Sequence, residues 1–271
     1  MPKLISSFQN YDYIYLVTNY YEGKHLQSFI NRIMSEEEIK FISACVIQAL
    51  EFLRKEKIIH RDVCPVNIIL DSDKYFNLID FSFSIFYENK NVKNLYMNTD
   101  LTVTPPEMLN YSEFDYNSDY YRLGSIIYYL IFKTYPFAIR KKYNISDITV
   151  DYKDIKNYSF DCIDFMNKLL ISNYKKRLGF KDIKELKNHH WFKEINWVEF
   201  KKKKIKSPFK FIKNKFNQSK CTKIKITEEN VLGFKKYSKS SIYKEAIENF
   251  YFCNNDIIKN IIKNRHFQYL K

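Results

Sequence analysis

The chain has 271 residues, enough for one large domain or two small ones around a real core. It carries 45 Lys and Arg against 31 Asp and Glu, a net charge of +14. That balance suits phosphate-rich or acidic partners, or simply a solvated lysine surface, and no basic ribbon interleaved with aromatic residues points to nucleic acid. The five cysteines (Cys45, Cys64, Cys162, Cys221, Cys253) form no C-x-x-C pair, which speaks against zinc and against a disulfide framework. They fit a reducing intracellular compartment, with the cytoplasm as the expected location. No apolar run approaches the ~18 residues of a membrane span, and MPKLISSFQ lacks the apolar centre of a signal peptide.

Leu4 to Thr18 reads as two short strands, LISSFQ and YIYLVT, joined by Asn10-Tyr11-Asp12, because β-branched and aromatic residues dominate both. Asn19 to Lys24 is a polar connector containing Gly23, and His25 to Ile33 suits a short helix. Ser35-Glu36-Glu37-Glu38 spells a capping box, in which Ser35 accepts from a backbone N–H and Glu38 reaches back. Acid in the first turn also suits the helix dipole. Ile39, Ile42, Val46, Leu50 and Leu53, at steps of three and four, predict a core-facing helix running to Lys55.

The stretch Ile58 to Phe81, IIHRDVCPVNIILDSDKYFNLIDF, is the most informative. It reads as a short apolar segment (Ile58, Ile59), a polar loop from His60 to Asn67, and an apolar strand from Ile68 to Leu70. A turn at Asp71 to Lys74 and a second apolar strand ending on Asp80-Phe81 follow. Asp62, Asn67 and Asp80 fall at the strand ends. A carboxylate and an amide five residues apart can converge on one small volume, and a hairpin can bring Asp80 beside them. Such a set can accept a proton and hold a divalent cation through oxygen ligands, which is what phosphoryl transfer needs.

Downstream, Ser84 to Asn98 is polar, and Thr104-Pro105-Pro106-Glu107 follows it. Asp119 to Phe132, DYYRLGSIIYYLIF, is apolar on nearly all faces and predicts a fully buried helix, ended by Tyr135-Pro136-Phe137. Phe160 to Ile171 is amphipathic through Ile163, Met166, Leu169 and Leu170, and Lys176-Arg177-Leu178-Gly179 comes next. His189 and His190 have no third ligand near them, so a structural role is expected. Lys201 to Lys206 is a charge run expected to be solvated. Lys210 to Ser241 is polar and extended, Ile247 to Phe252 (IENFYF) is apolar, and Asp256 to Leu270 suits a terminal helix.

His60-Arg61-Asp62 with Asn67 resembles the H-R-D-x-x-x-x-N catalytic loop of protein kinases, and Asp80-Phe81-Ser82 resembles their D-F-G motif. Pro105-Pro106-Glu107 is similar to A-P-E, Asp119 to Gly124 to D-x-W-x-L-G, and Lys176 to Gly179 to K-R-L-G. HHWF, INW and KSPF resemble the end of AGC-group kinase domains, and IENFYF their tail docking motif. Pro65 favours the serine/threonine type over the tyrosine type. The fold this implies is α+β and kinase-like: a mainly helical large lobe (residues 23–200), a remnant of the small-lobe sheet with the hinge (1–22), and an AGC-type tail (201–271).

The resemblance implies an ATP- and Mg2+-dependent protein serine/threonine kinase acting on a protein substrate. Asp62 would accept the substrate proton, and Asn67 and Asp80 would ligate magnesium. Thr18, Asn19, Tyr21 and Ile69 would contact the nucleotide. His60 and Phe81 would stack with Leu4 continuing their spine, Arg61 would pair with a phosphate or acid of the activation segment, Asp119 would brace the loop, and Glu107 would pair with Arg177. The identity of the substrate and the oligomeric state are not specified by these motifs.

The departures matter too. Cys64 stands where serine/threonine kinases carry a lysine that neutralises the transferring phosphate, and loss of such a group costs about 10²-fold or more in rate. Val66 and His25 replace acids that read basic substrates, Ser82 replaces the motif glycine, and Asp100 replaces a threonine of the docking loop. Tyr87, Tyr96 and Thr99 are candidate phosphosites. The chain contains no G-x-G-x-x-G loop, no V-A-I-K-type lysine and only four glycines. It therefore reads as part of a longer kinase or as a degenerate relative, with transfer expected to be weak or absent; the alternative is a pseudokinase binding module.

Overall fold

The computed structural model describes residues 1–9, 14–89, 103–110, 115–136, 150–151, 155–210 and 252–253. They divide into two compact units: residues 2–9, 14–20 and 252–253 in one, Met1 and 21–210 in the other.

The smaller unit is a three-stranded antiparallel sheet. Strand β1 (Leu4–Gln9) is central, with β2 (Ile14–Thr18) on one side and β7 (Phe252–Cys253) on the other. Leu4 pairs with Thr18 and Gln9 with Ile14, with an irregularity between Leu4 and Ser6. Ser6 and Ser7 face Cys253 and Phe252. Phe252 is the last residue of IENFYF; the rest of that motif, the 210s to 240s stretch beyond Lys210 and the expected terminal helix lie outside the described residues, as do Asn10 to Tyr13.

The larger unit is organised around helix α1 (Glu36–Lys55). Both halves of its capping box form: the Ser35 hydroxyl accepts from Glu38 N–H at 3.2 Å, and Glu38 accepts from Ser35 N–H at 3.0 Å. Its five periodic apolar positions are all buried in the core. Two small two-stranded sheets lie against it. β3 (Ile58–Ile59) pairs with β6 (Ile85–Phe86), and β4 (Ile68–Leu70) pairs with β5 (Phe76–Leu78), both antiparallel. The expected helix at His25 to Ile33 is only a 3₁₀ turn at Leu26–Ser28. His25 makes no cap; its ring Nδ1 sits 2.5 Å from the Val66 carbonyl instead, and the segment is tied to Ile69 by a β-bridge. The Gly23 connector passes so close to Leu70 that an added Cβ would fall 1.9 Å from the Leu70 carbonyl oxygen.

Helix α2 (Pro106–Asn110) precedes α3 (Tyr116–Phe132), which starts three residues earlier than its apolar run because Asp115 caps it. Helix α4 (Phe160–Leu169) stops two residues short of the expected Ile171, with Leu170 as its C-cap. Helices α3 and α4 touch through Gly124, where a Cβ would stand 2.8 Å from Leu169 Cβ. Short helices α5 (Lys184–Lys187) and α6 (Trp197–Lys201) close the unit. The lysine run after α6 is only partly solvated: Lys203 bridges Asp71 and Asp73 at 2.5 and 2.7 Å, and Phe209 packs edge-on against Phe29 and Phe76. Among the described residues, no helix is long and apolar enough to cross a membrane.

The buried pair Glu107–Arg177 ties α2 to the loop after α4, with Nη1 to Oε1 at 2.7 Å and Nη2 to Oε2 at 2.9 Å. The fork is saturated by the carbonyls of Asn117 and Ile171, and Ser118 Oγ donates to Glu107. Breaking such a pair strands a buried charge. Arg177→Met is therefore expected to cost about 3–5 kcal/mol, and a thermal midpoint lowered by less than about 2 °C would contradict that assignment. Adding Glu107→Gln should recover part of the loss.

Candidate active site

The loop between β3 and β4 is held from below by α3. Asp119, in the first turn, is buried and accepts the backbone N–H of His60 through Oδ2 and of Arg61 through Oδ1, both at 2.8 Å. Burial raises the Asp119 carboxyl to about 6, against the pull of those two donors and of the Arg122 and Arg61 guanidiniums. Arg61 is itself buried, with φ of 69°, a left-handed conformation that costs a non-glycine residue about 1–3 kcal/mol. The double hydrogen bond fixes the backbone at that strained residue. In the activation segment expected at Ser84 to Asn98, the described acid Glu88 pairs with Lys57 at 3.1 Å, and residues 90–98 lie outside the described residues.

His60 is wholly buried, and its two ring nitrogens have different partners. Nε2 meets the Ile79 carbonyl at 3.2 Å, and Nδ1 accepts from Asp62 N–H at 3.3 Å. That pattern needs a neutral ring protonated at Nε2. Desolvation enforces it, lowering the His60 pKa to about 4 despite the opposing Ile79 carbonyl and Asp80 charge. Phe81 packs on the ring, centroids 5.0 Å apart and tilted by 64°. Leu4 belongs to the other unit.

Asp62 and Asn67 meet directly. Asn67 Nδ2 donates to Asp62 Oδ2 at 2.7 Å and to the Asp62 carbonyl at 3.0 Å. The hairpin brings the third group in: Ile79 N–H donates to the Asn67 carbonyl at 2.8 Å, and Asp80 is the next residue. Strand β5 ends at Leu78 rather than at Phe81, because Asp80 turns left-handed (φ 63°) and accepts from Ser82 N–H at 3.1 Å. Asn67 Nδ2 donates twice to Asp62, which leaves Oδ1 as an acceptor, and the exposed Asp80 carboxylate follows one residue after the Ile79–Asn67 hydrogen bond. An oxygen-only pair of this kind fits a hard divalent cation that brings most of its ligands with it, as magnesium does with phosphates. Among the described residues, no three His, Cys, Asp or Glu side chains are grouped to hold a metal. His189 and His190 instead bond Asp164 and Asp161, at 2.9 and 2.6 Å.

One charged neighbour escaped the sequence reading. Arg122, one helical turn beyond Asp119, is buried and places Nη1 3.6 Å from Asp62 Oδ1. The signal was present: a single arginine inside a helix expected to be buried on every side must meet an acid. Cys64 carries no compensating charge, since burial pushes its thiol up to about 11.

The nucleotide residues are divided. Thr18 and Asn19 fall in the smaller unit, where Asn19 N–H donates to the Lys3 carbonyl at 3.1 Å and Asn19 Oδ1 accepts from Lys3 N–H. Tyr21 and Ile69 fall in the larger unit, with Ile69 buried in β4 opposite Asn77. Of the candidate phosphosites, Tyr87 stacks on Tyr116 with ring centroids 4.6 Å apart; Tyr96, Thr99 and Asp100 lie outside the described residues.

The protein kinase domain family matches residues 2–192. Among characterised proteins, a probable serine/threonine-protein kinase of Dictyostelium discoideum is 30% identical over 207 residues, covering 75% of this chain and 45% of its own. Serine/threonine-protein kinase Sgk1 of Rattus norvegicus is 32% identical over 213 residues (75% of this chain, 48% of its own). Putative 3-phosphoinositide-dependent protein kinase 2 of Homo sapiens is 32% identical over 205 residues (72% and 52%). The chain spans about half the length of the curated relatives it matches.

The neutral His60 ring has a pH consequence. In the unfolded chain it titrates near 6.5 and in the folded chain near 4, so folding disfavours its protonation. Its contribution is whole above 6.5 and is lost as pH falls toward 4, on the order of 3 kcal/mol in all. Asp119 runs the other way, its ionisation cost present above 6 and easing toward 3.8. The His60 part is isolated by comparison with His60→Gln: the stability advantage of the parent should shrink between pH 7 and pH 4.5 in urea unfolding. An advantage constant across that range would contradict the neutral-ring assignment.

Proposed function

From the premise that the chain belongs to the protein kinase family, in its AGC-like serine/threonine group, we infer that it transfers the γ-phosphate of ATP to a serine or threonine hydroxyl of a protein. The observation that supports this most is the Asp62–Asn67 contact of 2.7 Å inside a loop braced by Asp119. Asp62, partly exposed, is the base: it takes the proton of the acceptor hydroxyl while the oxygen attacks phosphorus. Asn67 fixes the plane of that carboxylate, and neutral His60 holds Asp62 N–H and Phe81 in place without adding charge.

Asn67 Oδ1 and the Asp80 carboxylate are the ligands this chain offers to magnesium, which when bound neutralises phosphate charge. Thr18, Asn19, Tyr21 and Ile69 are read as the nucleotide contacts. Residues 1–22, 23–200 and 201–271 are read as small-lobe and hinge segment, large lobe and tail. Cys64, uncharged, argues for slow turnover, and Val66 with His25 argues against a preference for basic peptides. A second reading, a binding module without transfer, is favoured by that same uncharged position.

Incorporation from radiolabelled ATP into generic protein substrates should be magnesium-dependent, below the 1–100 per second typical of kinases, and abolished by Asp62→Asn. Incorporation that survives Asp62→Asn would contradict the role of the base. Nucleotide binding separates the two readings: at 100-fold excess over Kd, Mg-ATP should stabilise the chain by about 2.7 kcal/mol. An unchanged thermal midpoint at millimolar Mg-ATP would favour the binding module.

A further inference from the structure

Helix α3 is apolar on nearly all of its faces yet buries a guanidinium at Arg122, 1% exposed. A buried cation persists when an acid and hydrogen-bonding groups meet it. Asp62 is an acid within ion-pair reach, Oδ1 to Nη1 at 3.6 Å, and it is not a core group, since 22% of its side chain is exposed. Among the described residues, no other lysine or arginine pairs with Asp62. Its second oxygen, Oδ2, accepts from Asn67 at 2.7 Å. The carboxylate is thus met at both oxygens, at one by the helix and at the other by its own loop.

The two anchors on α3 are in register. Asp119 and Arg122 are three residues apart, so they project from one face of the helix. Asp119 takes the backbone of the loop and Arg122 takes the side chain the loop presents. Beyond Arg61, whose backbone Asp119 holds, the loop carries no cation: the residues from Asp62 to Asn67 are Asp-Val-Cys-Pro-Val-Asn.

We propose that Arg122 is a positioning residue for the phosphotransfer inferred above, holding the Asp62 carboxylate from beneath and supplying the positive charge that the loop lacks at position 64. The proposal rests on that phosphotransferase reading. Arg122 does not touch the acceptor; it acts through Asp62, so its loss should appear in turnover rather than in nucleotide affinity.

Arg122→Met should lower kcat about 10²-fold while the KM for ATP changes less than about threefold. Arg122→Lys keeps a cation on the helix, and Cys64→Lys in the Arg122→Met background puts one on the loop; each should raise turnover above Arg122→Met. A kcat for Arg122→Met within about threefold of the parent would overturn the proposal. So would failure of both lysine variants to raise it.

Thermal midpoints of Arg122→Met, Asp62→Asn and the double variant read the contact without any turnover. If the residues act together, the double variant loses less than the sum of the single losses. Absence of Asp62-dependent turnover in the parent defeats the phosphotransferase reading alone. The midpoints then decide: sub-additive losses uphold the Arg122–Asp62 contact, and additive losses overturn it.

Discussion

Two backbone N–H groups, those of His60 and Arg61, converge at 2.8 Å on the single buried carboxylate of Asp119. Hydrogen bonds to an ionised acceptor are roughly twice as strong as neutral ones, and a bidentate pair also fixes direction. Arg61 is left-handed, so without this anchor the chain would relax toward an ordinary conformation and swing Asp62 away. The carboxylate is placed by the first turn of α3, a helix started by the Asp115 cap and packed on α4, and that first turn is tied to the Glu107–Arg177 pair through Asn117 and Ser118. The geometry of the loop is therefore a consequence of how a helix distant in sequence is seated.

Charge is distributed sparingly around that anchor. The histidine beside Asp62 is kept neutral by burial, the cysteine two residues beyond it remains an uncharged thiol, and the cation that does face Asp62 comes from α3. Two of the six non-glycine residues with positive φ among those described, Arg61 and Asp80, flank the site. Left-handed backbone at such positions persists only where surrounding contacts over-determine it. Here the Asp119 fork does so at Arg61, and at Asp80 the carboxylate accepts from Ser82 N–H.

Much of this was readable because it is local. The Ser35 capping box, the three-and-four spacing of α1 and the apolar strands of the β4–β5 hairpin depend on neighbours within a few residues, and they formed as expected. The convergence of Asp62 with Asn67 was readable for the same reason, and the meeting of Glu107 with Arg177 followed from the kinase resemblance. What could not be read depended on long-range partners. His25 gives up a helix cap to bond Val66, so the helix expected there shrinks to one 3₁₀ turn. The pairing of β3 with β6, and the turn of Arg122 toward Asp62, are set by which distant segment happens to lie opposite.

Amide hydrogen exchange at His60 and Arg61 tests the dependence on Asp119 most directly. In the parent chain both amides should exchange as slowly as those at the centre of α1, and in Asp119→Asn both should speed up while α1 remains protected. Fast exchange at His60 and Arg61 in the parent, or protection there that survives Asp119→Asn, would contradict the claim that this carboxylate holds the loop.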